Sequence, residues 1–230
     1  MLPEICRIGP FTIYSYGLML AIAFVIGSGL AGIEAKKRNI NPEVILNLCF
    51  LALVSGIIGA RLFYVLENYR FYFKYPGEIF ILQHGGLSWF GGLILGFLAS
   101  LLYMRKKKLS VYQILDLLAP FVALGQAFGR VGCLLNGCCF GKTGVPVQIY
   151  SSAILLGIFL ILRLLQDRPH KEGEIFFSYL LLYSLKRFFI EFWRIDNPIV
   201  FWNLTLFQLL SIGLFFLALI KLVSLKRKSP

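Results

Sequence analysis

The sequence predicts an all-α, polytopic integral membrane protein with seven transmembrane helices, and three observations carry that expectation. The 230 residues are 58% hydrophobic with a mean hydropathy of +0.78, well above the roughly 45–50% apolar content of soluble domains. Apolar runs of about 20 residues, the length at which a helix crosses the hydrocarbon of a bilayer, recur seven times. Short clusters of Lys and Arg fall between the runs, mostly on one side, which is how basic residues set topology.

The first run, residues 11–33, leads into Lys36, Lys37 and Arg38. It is too long for a cleavable signal peptide and lacks the basic leader. The second, 43–65, carries Arg61 close to its far end. The third, 85–104, opens on Gly85-Gly86-Leu-Ser-Trp-Phe-Gly91-Gly92 and is expected to begin as irregular, re-entrant backbone; it ends at Arg105, Lys106, Lys107 and Lys108. The fourth, 113–135, carries Arg130. The fifth, 147–165, leads into Arg163, Arg168 and Lys171. The sixth, 174–193, carries Lys186, Arg187 and Glu191, and the seventh, 203–224, runs to Lys221, Lys226, Arg227 and Lys228.

By the positive-inside rule these clusters place the N-terminus outside and the C-terminus in the cytoplasm. Arg61, Arg130 and Arg187 then lie within about two turns of the outer ends of their helices, at 1.5 Å per residue. Tyr16, His84 and the paired glycines 85–86 and 91–92 reach the same level from the other helices. Residues 1–230 read as a single transmembrane domain. Segment 66–84, rich in Tyr and Phe, reads as an outer-face arm suited to the headgroup zone. No internal repeat stands out, so the inverted-repeat signature of many transporters is missing.

The formal net charge of +12 does not point to nucleic acid, because the cations sit between apolar runs. Cys6, Cys49, Cys133, Cys138 and Cys139 form no CxxC pair and have no nearby His to complete a zinc set, so no metal and no cofactor is expected. They read as small membrane-buried cysteines, with a vicinal disulfide between Cys138 and Cys139 as the other reading.

The run Gly129-Arg130-Val-Gly132-Cys-Leu-Leu-Asn136-Gly137-Cys-Cys-Phe-Gly141 is the most probable place for chemistry. An Arg in the bilayer interior costs roughly 2.5–3.5 kcal/mol on insertion scales, so it faces a polar cavity or an anion. A turn at Asn136-Gly137 folds back and offers N–H groups to such an anion. Arg187, Glu191 and Arg194, spaced i, i+4 and i+7, share one helix face. Glu191 could hold both guanidinium groups and leave their outer donors for a phosphate, or the three could form a structural ion-pair ladder. His84 is a candidate base at the outer mouth. Asp116 is expected to pair with the basic cytoplasmic loops, and Gly125-xxx-Gly129 and Gly92-xxx-Gly96 read as helix-packing seams.

Taken in order, Tyr16-Gly17-Leu18-Met19, Gly59-Ala60-Arg61, His84-Gly85-Gly86-Leu87-Ser88-Trp89-Phe90-Gly91-Gly92, Gly129-Arg130-Val131-Gly132, Asn136-Gly137, Gln148-Ile149-Tyr150 and Arg187-Phe-Phe-Ile-Glu191-Phe-Trp-Arg194 resemble the prolipoprotein diacylglyceryl transferase family, in a divergent Cys-containing form. The resemblance implies a seven-span enzyme of the bacterial cytoplasmic (inner) membrane. It implies transfer of the diacylglyceryl group of phosphatidylglycerol to the lipobox cysteine thiol of preprolipoprotein signal peptides, forming a thioether and releasing glycerol phosphate. Its partners would be those two substrates and the surrounding membrane lipid.

Carried over, Arg130 matches the family's phospholipid-binding arginine and Arg187 the arginine implicated in catalysis, with Tyr16, Asn136, Gly141, Glu191 and Arg194 at further site positions. The expected catalytic set is thus Arg187, His84 and Glu191, and the phospholipid-binding set Arg130, Arg61, Tyr16, Asn136, Gly141 and Arg194. Phe90 stands where many members carry His, Cys133 where they carry Asn, and Cys138 where they carry Glu. Two other readings stay open: a non-catalytic membrane lipid-binding or transport protein, and a membrane thiol-disulfide oxidoreductase built on Cys133, Cys138 and Cys139.

Overall fold

The computed structural model describes residues 4–8, 11–81, 85–194 and 198–227. In chain order they form β1 (Glu4–Ile8), β2 (Phe11–Tyr14), α1 (Ser15–Lys37), α2 (Pro42–Glu67), α3 (Tyr69–Lys74), α4 (Trp89–Lys106), α5 (Val111–Asn136), α6 (Val147–Gln166), α7 (Glu174–Glu191), β3 (Ile199–Phe201), β4 (Leu204–Thr205) and α8 (Leu206–Arg227), with 3-10 turns at Pro76–Phe80 and Lys142–Gly144. The fold is that of an all-α membrane protein. Among the described residues, α1, α2, α5, α6 and α8 are long and apolar enough to cross a membrane.

The expected third and sixth spans fall short of that measure for readable reasons. Helix α4 has 18 residues and starts only at Trp89, because Gly85 and Gly86 take positive φ, 78° and 86°, and keep the backbone before it irregular. Helix α7 also has 18 residues and carries Glu174, Lys186, Arg187 and Glu191. Two short antiparallel hairpins, β1 with β2 and β3 with β4, were not part of the helical expectation. Strands of two to five residues leave no trace in a 20-residue apolar window. They delay the first and last long helices to Ser15 and Leu206.

Basic side chains close α1 (Lys36, Lys37), α4 (Arg105, Lys106), α6 (Arg163) and α8 (Lys226, Arg227), whereas the last turns of α2, α5 and α7 carry none. Helix α8 begins on a reciprocal cap. The Thr205 backbone N–H donates to Gln208 Oε1 at 2.9 Å, and the Gln208 N–H donates to Thr205 Oγ1 at 3.3 Å, which satisfies two of the donors a helix start leaves open.

The chain divides into two compact units, one of Met1–Glu34 with Tyr112–Pro230 and one of Ala35–Val111. In the first, Ala119, Ala123 and Ala127 of α5 meet Leu155, Ile158 and Leu162 of α6 and Ile175 and Tyr179 of α7. Gly132 forms the approach of α5 to α1: a Cβ there would lie 3.1 Å from Met19 Cβ and 3.2 Å from Tyr16 Cδ2. Gly125 has nothing within 4 Å and Gly129 only Leu20 Cδ2 at 3.9 Å, so the expected Gly125-xxx-Gly129 seam is not a close packing seam.

Asp116, 1% exposed, accepts the Gly173 N–H at 2.6 Å on Oδ2 and the Phe176 N–H at 2.7 Å on Oδ1. It thus caps the start of α7, where Gly173 has no side chain to do so. Asp116→Ala would leave two buried N–H groups open and is expected to cost about 2–4 kcal/mol. A melting temperature in detergent equal to that of the unaltered protein would refute the capping role.

In the second unit α2 and α4 cross at glycines. A Cβ on Gly59 would strike the Gly91 carbonyl and lie 2.6 Å from Leu95 Cβ. A Cβ on Gly92 or Gly96 would come within 3.2 and 3.3 Å of the Gly56 and Ala52 carbonyls, so the expected Gly92-xxx-Gly96 seam does form, in the manner of small-residue packing in membranes.

Candidate functional site

Arg61 sits near the end of α2, 7% exposed, and all five of its N–H donors are used. Nε donates to Ile79 O at 2.9 Å, Nη1 to Gly85 O and Gly86 O at 2.6 and 2.9 Å, and Nη2 to Glu78 O and Ile81 O at 2.6 and 3.0 Å. The guanidinium also lies 5.3 Å from the Tyr72 ring. A side chain at Gly86 would collide with the Tyr64 ring and with Arg61 Nη1. Because guanidinium has only five donors, Arg61 has none to spare for a phosphate. Phospholipid binding was the sequence expectation for Arg61; among the described residues its donors go to the carbonyls of Glu78, Ile79, Ile81, Gly85 and Gly86.

Arg130 is the opposite case. It is half-buried near the end of α5 and makes no hydrogen bond or ion pair among the described residues. Tyr16, 39% exposed at the start of α1, lies within electrostatic reach of it. Helix α5 then closes on a Schellman turn: Gly137, at φ 74°, donates to Leu134 O at 3.2 Å, and Cys138 donates to Cys133 O at 3.1 Å. The turn at Asn136-Gly137 was anticipated, but its consequence was not. It folds Cys138 and Cys139 back so that the sulfurs of Cys133, Cys138 and Cys139 all lie within 4.8 Å of one another. All three are free thiols, and no vicinal disulfide joins Cys138 to Cys139, whose sulfurs are 3.5 Å apart. Burial pushes the Cys138 thiol above its ordinary pKa, the reverse of the depressed values that disulfide-exchange enzymes use. Gln148 Nε2 holds the Cys138 carbonyl at 2.7 Å.

The end of α7 supplies the other cations. Arg187 Nη2 pairs with Glu191 Oε2 at 3.3 Å, and its guanidinium lies 4.5 Å from the Phe207 ring centroid. Glu191, 3% exposed, accepts the Thr205 hydroxyl on Oε1 at 2.9 Å. Glu191 is thereby fixed between an arginine and the cap of α8, and this carboxylate positions Arg187. Lys186 stands in electrostatic contact with Arg130, Arg187 and Arg194, so four cations gather where α5 and α7 meet. Arg194 and Gly141 pair as an antiparallel β-bridge, and Lys142 N–H donates to Trp193 O at 2.7 Å. A Cβ at Gly141 would collide with Val147 and come within 2.6 Å of Val145 O, so Gly141 serves by being small where the loop after α5 docks on the end of α7.

Tyr16, Arg130, Asn136, Gly141, Arg187, Glu191 and Arg194 are thus brought into one unit, while Arg61 belongs to the other. His84 lies outside the described residues. Phe90, 46% exposed in the first turn of α4, stacks edge-on against Trp89 at 5.3 Å. Sequence reasoning noticed Lys186 without placing it in the site and missed Thr205 and Gln208. The Thr205-Leu-Phe-Gln208 spacing, a helix-start signature, was the available signal for the latter pair.

An all-α, many-helix chain with a half-buried arginine that has no acceptor among the described residues, set among three further cations, defines a membrane protein with a cationic site. The chain belongs to the prolipoprotein diacylglyceryl transferase family, whose sequence profile, described as Prolipoprotein diacylglyceryl transferase, matches residues 3–224. It is 32% identical over 246 residues to the phosphatidylglycerol–prolipoprotein diacylglyceryl transferase of Lactobacillus acidophilus, covering 95% of this chain and 88% of that one. The protein of the same name from Enterococcus faecalis is 32% identical over 251 residues, covering 97% and 90%. That from Trichormus variabilis is 34% identical over 224 residues, covering 85% and 79%.

Proposed function

We propose that this protein transfers the diacylglyceryl group of phosphatidylglycerol to the lipobox cysteine thiol of a preprolipoprotein, forming a thioether and releasing glycerol phosphate. Family membership supports the reaction class. The observation that carries the site assignment is Arg130: a half-buried guanidinium with no acceptor among the described residues, beside Lys186, Arg187 and Arg194. A lipid phosphate satisfies that unmet need with the bidentate geometry guanidinium favours.

In the reaction the client sulfur attacks the glyceryl carbon that bears the phosphate, and the carbon–oxygen bond breaks toward the phosphate. Charge grows on the departing group, so cations already in place stabilise the transition state more than the bound lipid. Arg130 takes the phosphate. Arg187, held by Glu191 and Phe207, supplies a second fixed charge. Tyr16, Asn136 and Arg194 line the same site, Gly141 docks its loop, and Arg61 holds the backbone at 78–81 and 85–86 without touching the lipid. Glu191 is a positioning residue.

The proposal extends to the setting. Seven spans, with α4 and α7 as the third and sixth, place the N-terminus outside and the C-terminus in the cytoplasm of the bacterial inner membrane. The alternation of basic and non-basic helix ends supports this orientation. Exposed Tyr69, Phe71, Phe73, Tyr75 and Phe80 in α3 and the following turn support an outer arm lying among the headgroups, within one transmembrane domain.

Purified protein incubated with labelled phosphatidylglycerol and a lipobox peptide is expected to yield the thioether peptide and free glycerol phosphate. Binding of both partners without product would establish the non-catalytic lipid-binding reading instead.

A further inference from the structure

We propose that Cys133, Cys138 and Cys139 bind a soft, zinc-class divalent cation with a fourth position open, and that the client's cysteine sulfur takes that position during transfer. The inference rests on the transferase reading for its second half and on geometry alone for its first. Three sulfurs bonded to one ion at about 2.3 Å stand about 3.8–4.0 Å apart in tetrahedral or trigonal arrangement. Here one pair is 3.5 Å apart and all three lie within 4.8 Å, so closure needs only side-chain rotation. Thiolate sets of this kind select soft ions.

The turn that gathers the sulfurs is well held. The Schellman bonds fix Cys138 relative to Cys133, and the Gln148 amide pins the Cys138 carbonyl. Cys139 is kept at φ 62°, a left-handed conformation that is strained for a non-glycine residue and that clusters at functional sites. Among the described residues no His, Asp or Glu joins the group. Three protein ligands with one position open is the pattern of catalytic rather than structural zinc. Three thiolates on a divalent ion leave one net negative charge, and Arg130 lies within electrostatic reach of Cys133.

The reaction is one that such an ion serves. The client thiol coordinates and releases its proton to water, since a coordinating thiol is deprotonated outright. Its sulfur then forms the bond to the glyceryl carbon as the carbon–oxygen bond breaks and the electron pair leaves with glycerol phosphate. The thioether product is a neutral, weaker ligand and departs. Arg130 serves the leaving group and the metal serves the nucleophile, both near the end of α5.

Three measurements on the detergent-solubilised full chain test this. Cadmium titration is expected to develop the sulfur-to-metal charge-transfer band with about one equivalent bound. The band should fall in Cys133→Ser, Cys138→Ser and Cys139→Ser and persist in Cys49→Ser, a control on α2. Stripping the unaltered protein with a chelator should lower transfer to a lipobox peptide about 10-fold, with zinc restoring it. That factor is less than full ionisation of a thiol that is a few per cent ionised at neutral pH would give, because a stabilised thiolate is a weaker nucleophile. A substoichiometric band overturns the metal site, and transfer unchanged after the metal is removed overturns its catalytic role; either leaves the transferase reading standing. A stoichiometric band in protein that yields no thioether when loaded with zinc keeps the binding site, overturns the catalytic half and counts against the transferase reading itself.

Discussion

Arg130→Ala is expected to lower diacylglyceryl transfer by roughly 10²–10³-fold, about 2.7–4 kcal/mol of transition-state stabilisation, the scale seen when one preorganised donor is removed from a site of developing negative charge. The loss should appear in kcat more than in KM, since the charge on the phosphate oxygen grows as its bond to carbon breaks. Insertion into the membrane should be unaffected, because Arg130 holds no other residue among those described. Arg130→Lys keeps the charge but loses the planar fork, and it is expected to recover only part of the rate. Single-turnover assays with labelled phosphatidylglycerol decide the matter. A variant that transfers at near-normal rate would remove Arg130 from the chemistry, leaving Lys186, Arg187 and Arg194 as the cations to examine.

Arg61→Ala is expected to fail in a different way, as a folding defect. It removes the one group that collects carbonyls from Glu78, Ile79, Ile81, Gly85 and Gly86. Glu78 O would keep the Ile81 N–H, and the other four carbonyls would lose the guanidinium that gathers them. An acceptor left unpaired away from water costs about 1–3 kcal/mol, a sizeable part of the 5–15 kcal/mol that holds an ordinary domain together. Lys at this position reaches at most three of the five carbonyls. The variant should melt lower and be cleaved faster within residues 78–86. If instead Arg61→Ala melts normally and shows only a raised KM for phosphatidylglycerol, Arg61 is a lipid ligand after all.

The contrast between these two arginines marks the boundary of what the sequence made legible. A charge in an apolar run is visible at once, and both residues were singled out on that ground. Their fates differ because of carbonyls 17 to 25 residues away from Arg61, which no local pattern announces. Helix positions were easier: the expected run 147–165 became Val147–Gln166 and 174–193 became Glu174–Glu191, since apolar length alone decides them. The charged face of Arg187, Glu191 and Arg194 was visible as a spacing, but Thr205, which fixes Glu191, arrives from the next helix.

The thiol cluster was missed for a related reason. Positions 133, 138 and 139 match neither the helical spacing of three or four nor a CxxC pair, and they converge only because the helix stops between them. Asn136-Gly137 was the clue, a helix-ending pair whose left-handed glycine reverses the chain. The expectation of no metal rested on the lack of a nearby His, a test that does not apply to a set of three thiols.

Arg61 and its ring of carbonyls resemble a host folded around a guest on the same strand of covalent chain. The guest belongs to α2 and is synthesised before the host segment, so each carbonyl emerging afterwards meets a cation already in place. A circularly permuted chain that delivers α2 last reverses that order, so the five carbonyls are made before the guanidinium that gathers them.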